Sequence, residues 1–97
     1  MAPDPLEALA QCRERIDELD RKLVDLLNAR AAIAGEIGHI KQQAQMPIYE
    51  PKREEQVFAN VTSHNRGPLT AEGVKRIFER IIDEMRRVQK DGQETKG

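Results

Sequence analysis

Arg30 stands where a helix should present an apolar side chain. Leu9, Cys12, Ile16, Leu19, Leu23 and Leu26 step forward by three and four, and Ile33, Ile37 and Ile40 resume the series beyond it. That is the seam of a long helix that packs against other helices. A guanidinium buried on such a seam costs several kcal/mol without an anionic partner. No acidic residue of the same stripe obviously supplies one, so a bound anion becomes a candidate. Lys41 follows Arg30 by eleven residues, about 20° round the helix and about 16 Å along it. Both long side chains can close on one small molecule. Arg13 precedes Arg30 by seventeen residues, about 25 Å of helix axis, and cannot reach that molecule from the same helix. From an antiparallel partner it can. Two guanidinium forks and one ammonium suit a small di-anion, a dicarboxylate first of all.

Each group also has a plainer reading. Arg13 lies in Arg13-Glu14-Arg15-Ile16-Asp17, where a solvated charged face is the ordinary explanation. A polar residue such as Arg30 can merely set helix register, and Lys41 can favour a helix C-terminus through the macrodipole. Arg53 and Glu54 in Lys52-Arg53-Glu54-Glu55 read as a solvated first turn, and Gln89 ends an apolar stripe where it could be surface. His39 and His64 have no companions at metal-ligand spacing. No glycine-rich phosphate loop and no Ser/His/Asp pattern occurs.

The elements that must position these groups are helices. No proline falls between Pro5 and Pro47, so one helix is expected over about 6–45, roughly 60 Å long. Two shorter helices cannot cover it, and dimerisation through it is the economical solution. Gly35 and Gly38 lie inside this helix, each costing up to about 1 kcal/mol against Ala. Either something approaches closely there or the residues are simply tolerated. Met46-Pro47-Ile48-Tyr49-Glu50-Pro51 reads as a loop. A second helix is expected over 51–64, opened by Pro51. A third follows over 70–90, capped by Thr70. Its stripe is Val74, Ile77, Phe78, Ile81, Ile82, Met85 and Val88. The segment 91–97 reads as a polar, frayed tail. The expectation is one all-α domain over 1–97, three helices to the protomer.

Ninety-seven residues are one domain at most. With 34% charged and 3% aromatic residues, the chain is poorly equipped for a large private core. A net charge of −1 argues against nucleic acid as a partner, since that footprint needs a basic excess. The lone Cys12 excludes an intrachain disulfide, and its seam position predicts burial. Apolar runs fall short of a membrane span and the N-terminus lacks a signal pattern. A cytoplasmic protein without membrane association is expected.

Taken together, Arg13-x-x-Ile16-x-x-Leu19-Asp20, Leu26-Leu27-x-x-Arg30, Ile37-Gly38-x-x-Lys41, Pro47-Ile48-Tyr49-Glu50-Pro51-x-Arg53-Glu54 and Gln89 closely resemble the all-helical AroQ class of chorismate mutase. The resemblance covers about 6–89. It implies an intertwined homodimer with two equivalent sites and no cofactor. Arg13 of one subunit would bind the carboxylates of chorismate with Arg30 and Lys41 of the other. Lys41 and Gln89 would face the ether oxygen, as the catalytic pair. Glu54 would accept from the substrate hydroxyl, with the backbone near Glu50 contributing and Arg53 supporting the carboxylate end. Met85 departs from the pattern, standing where relatives often place a small polar residue that touches a carboxylate. Isochorismate pyruvate-lyase shares the fold and the clamp, although the loop is more mutase-like. A non-catalytic helical dimerisation or regulatory module is the remaining alternative, and such a module would not need Gln89.

Overall fold

The computed structural model describes residues 4–94. Among them the chain forms α1 (Pro5–Ala44), α2 (Pro51–His64) and α3 (Ala71–Glu94), with no strand. The all-α expectation is met. Two compact units divide the chain, 1–32 and 33–97.

The first unit holds the earlier part of α1. Asp4 caps it, its Oδ1 accepting from the Leu6 backbone N–H at 3.2 Å, with Pro5 at the first helical position, where no N–H is missed. A single helix cannot bury its own stripe. Ile16 and Leu26 accordingly remain 55% and 68% exposed. Cys12 is exposed too, which corrects the expectation of a buried thiol: its seam has no covering surface within this unit.

The second unit has a core. Ala34, Val57, Val74, Ile82 and Met85 are its buried apolar residues, drawn from the last part of α1, from α2 and from the stripe of α3. How α1 ends decides where the following loop goes. The Met46 N–H reaches back to the Lys41 carbonyl at 2.8 Å and the Gln45 N–H to that of Gln42 at 3.2 Å. These are the two bonds of a Schellman closure. Gln45 takes the left-handed position at φ 58°, a conformation usually given to glycine because a Cβ crowds the carbonyl there. The turn folds 46–50 back over the last turn of α1.

α2 opens with Pro51 at its first position, and Glu50, the N-cap residue, makes no side-chain cap bond. Asn65 shapes the next connection, donating from Nδ2 to Leu69 O at 2.8 Å. Thr70 Oγ1 then accepts from the Gly73 N–H at 2.9 Å, the cap expected of it. α3 continues to Glu94, where the sequence reading ended the helix at 90 and began a frayed tail. The physical reason lies in Gln93, whose Nε2 donates to the Gly38 carbonyl at 2.9 Å and ties the last turns of α3 to α1. The rest of the expected tail, 95–97, lies outside the described residues.

Candidate active site

Lys41 is the centre of the polar structure in the second unit. It is 4% exposed, the buried charge of the described core. Such a charge is tolerated only when its donors are taken up, and here three acceptors take them up. Nζ lies 2.7 Å from Ile48 O, 3.0 Å from Gln89 Oε1 and 2.8 Å from Glu50 Oε1. The Schellman turn explains two of these contacts, because it brings the Ile48–Glu50 backbone over the lysine. It also explains the unused cap at Glu50, whose carboxylate serves the ammonium instead of the α2 N-terminus. An ammonium has donors only, so the amide atom of Gln89 facing it must be oxygen. The Gln89 Nε2 is thereby left to donate elsewhere.

Gln89 comes this close because α1 and α3 touch through backbone at Gly38. A Cβ built on Gly38 would lie 2.5 Å from the Gln89 carbonyl oxygen and 2.9 Å from its Cα, nearer than any real side chain tolerates. Of the two readings open for the helix glycines, close approach holds at Gly38. At Gly35 the nearest atom is Val88 Cγ1 at 4.0 Å, which is ordinary contact and requires no glycine.

Beside this cluster stands a second one. Glu54 accepts both arms of Arg86, Nε to Oε2 at 2.8 Å and Nη2 to Oε1 at 3.2 Å. Arg86 Nη1 also reaches Asp83 Oδ1 at 3.1 Å, and its guanidinium carbon lies 5.5 Å from the centroid of the Tyr49 ring. The hydrogen bond that Arg86 donates to Glu54 holds its guanidinium above the ordinary range, opposed by partial desolvation and helped by the charges of Glu54 and Asp83. Ile48, Tyr49, Asp83 and Arg86 are among the residues lining a pocket of about 410 Å³. Lys41 and Gln89 do not line it.

The remaining sequence-derived residues lie as follows. Met85 is 7% exposed, a member of the core. Arg53 is exposed and reaches Gln56 Oε1 at 3.4 Å. Arg13 is exposed and Arg30 half-buried, both in the first unit. The structure thus brings Lys41, Glu50 and Gln89 into one network and gives Glu54 a partner that sequence reasoning missed. Arg86 and Glu54 are 32 residues apart on different helices, beyond any local periodicity. A clue existed in the stripe of α3, which places position 86 next to Met85 and one turn after Ile82.

The family model described as chorismate mutase type II matches residues 12–90. The chorismate mutase of Methanocaldococcus jannaschii is 30% identical over 86 residues, which are 88% of this chain and 87% of that one. The bifunctional chorismate mutase/prephenate dehydratase of Aquifex aeolicus is 36% identical over 81 residues, 79% of this chain. The chain spans only 22% of that protein's length. Among solved structures, chorismate mutase from Helicobacter pylori in complex with prephenate superposes with a TM-score of 0.87 at 31% identity, over 94% of this chain and 99% of that one.

Proposed function

The chain belongs to the chorismate mutase type II family, and from that premise we propose that it converts chorismate to prephenate in aromatic amino acid biosynthesis. The observation that carries the reading is the Lys41–Gln89 contact. It sets a buried cation against the oxygen of an amide whose N–H groups remain as a second donor beside it. The reaction is a rearrangement within one molecule. It needs a compact conformer of a flexible di-anion, and stabilisation of the ether oxygen as the C–O bond breaks.

Arg30 and Lys41, with Arg13 from a second copy, bind the two carboxylates and so select the reactive conformer. Lys41 and Gln89 donate to the ether oxygen, whose negative charge grows in the transition state. Because the charge grows, the interaction strengthens along the reaction and accelerates it. Lys41 must exchange acceptors for the substrate oxygens it meets. Glu50 is the first that can yield, since its side chain is 38% exposed and can turn to water, whereas Ile48 O is fixed backbone. Glu54 receives the ring hydroxyl, Arg53 supports a carboxylate at the mouth, and Met85 contributes apolar wall. The chemistry calls for no cofactor.

Dimerisation is part of the same proposal. Arg13 and the exposed seam of the first unit both look for a partner, and a second copy supplies both needs. An obligate pair fits a helix with so much apolar surface uncovered. Among the described residues no helix is long and apolar enough to cross a membrane; a cytoplasmic location is part of the proposal.

Incubating purified protein with chorismate, and separately with isochorismate, tests the activity. Prephenate from the first without pyruvate from the second is expected. Pyruvate release as the faster reaction, or no turnover of either, rules the proposal out.

A further inference from the structure

The rearrangement makes no direct use of Arg86, yet its guanidinium is tied to two carboxylates and set over a ring. Its grip on Glu54 is a fork on a fork, the strongest and most directional form of such a pair. Glu54 is 18% exposed at its side chain and Arg86 36%, so solvent screens the pair only in part. Each Glu54 oxygen spends one lone pair on Arg86 and keeps another for a further donor. The carboxylate can still accept a hydrogen bond. What it no longer presents is an uncompensated negative charge.

A hydroxyl and an ammonium read that difference in opposite ways. A hydroxyl needs a well-placed acceptor and gains less from net charge than an ammonium does. An ammonium needs a counter-charge and is repelled by a guanidinium nearby. We propose that Arg86 is a positioning residue that sets substrate choice, holding Glu54 as an oriented, charge-compensated acceptor that favours a ring hydroxyl over a ring ammonium. The inference rests on the reading that Glu54 receives the ring hydroxyl. Asp83 returns one negative charge to the cluster, but its side chain is 49% exposed and correspondingly screened. Glu50 pairs with Lys41 before substrate binds, and once it yields it faces water, where its charge is screened. The carboxylate left to meet the ring substituent is Glu54, and Arg86 compensates it.

The test compares kcat/KM for chorismate with that for its counterpart carrying an amine in place of the ring hydroxyl, an allylic amine protonated near neutral pH. Wild type should prefer chorismate. Arg86→Gln and Arg86→Met, the latter keeping an apolar stem against Tyr49, should shift the ratio toward the amine by about tenfold, as expected for one unpaired charge at a partly solvated site. Arg86→Lys keeps the charge and should keep most of the preference. An equal loss on both substrates, or equal use of both by wild type, overturns the proposal. Glu54→Gln separates the two layers. If it leaves turnover of chorismate unchanged, the role of Glu54 itself fails. If it lowers that turnover while neither Arg86→Gln nor Arg86→Met moves the ratio, only the role of Arg86 fails.

Discussion

The two units of the chain treat their cations differently. In the second unit the buried ammonium of Lys41 has three acceptors and the Arg86 guanidinium holds two carboxylates. In the first, Arg13 lies exposed on a helix whose apolar seam is exposed as well. The second unit carries its own counter-charges and its own small core. Among the described residues the first holds neither an ion pair nor a buried apolar side chain. A polar network that is satisfied internally is ready to work before substrate arrives. A helix that exposes both a seam and a guanidinium depends on another surface to give them meaning.

The largest effect should come from breaking the network at its centre. Lys41→Met removes the ammonium while retaining an unbranched apolar stem of similar length. Turnover of chorismate should fall by about 10³-fold, the upper range for one preorganised donor. Fold should survive at reduced stability: removing one partner of a buried pair is costly, but Glu50, 38% exposed at its side chain, can turn to water. A stopped assay alongside thermal melting checks this. Undiminished kcat in a folded variant would remove Lys41 from the chemistry.

Gln89→Glu sharpens the same point through pH. Wild type donates through an amide that does not titrate, so its activity should be nearly level from mildly acid to neutral pH. A carboxyl donates only when protonated, which happens as pH falls through the ordinary carboxyl range near 4.3. The variant should be about 10²-fold slower than wild type at pH 7 and should recover as the medium is acidified. Rate–pH profiles of the two proteins decide it, and equal activity at both ends removes the proposed role.

The first unit is tested by mixing. Arg13→Ala and Arg30→Ala should each be nearly inactive alone. If a site draws Arg13 from one subunit and Arg30 from the other, a mixed dimer has one intact site and one doubly damaged. Random exchange at equal concentrations then restores about a quarter of wild-type activity. No recovery after verified subunit exchange would mean that the first unit's cations do not complete a shared site.

The helices were legible in the sequence because their signals are local. Pro5, Pro51 and Thr70 mark starts, and the spacing of Val74, Ile81, Ile82 and Met85 marks the buried face of α3. Lys41 could be singled out by its spacing from Arg30, and Gln89 only through the family resemblance, since its place at the end of a stripe reads equally as surface. What escaped was pairing across long sequence distance. The Arg86–Glu54 fork joins two helices, and each residue alone looks like a solvated charge. The end of α3 escaped for a similar reason: Gln93 is unremarkable in a polar tail until Gly38 O is found within 2.9 Å of its amide. Burial of Cys12 was inferred from a seam that nothing within its own unit covers.

The glycines of α1 give the smallest effect and the sharpest contrast, since two neighbours of the same type make opposite predictions. Both lie in mid-helix, so alanine at either should gain up to about 1 kcal/mol of helix propensity. At Gly35 a Cβ meets nothing nearer than 4.0 Å, and Gly35→Ala should hold or raise the melting temperature without altering kcat. At Gly38 the same methyl enters the Gln89 backbone at 2.5 Å. Backbone cannot swing aside as a side-chain end can, so α3 must move. Gly38→Ala should lose about 1–3 kcal/mol net, the cost of overpacking a close contact. Because the moving segment carries Gln89, kcat should fall further than stability alone explains, while KM changes less. Should the two variants melt alike and turn over alike, the backbone contact is not what sets Gln89 against Lys41.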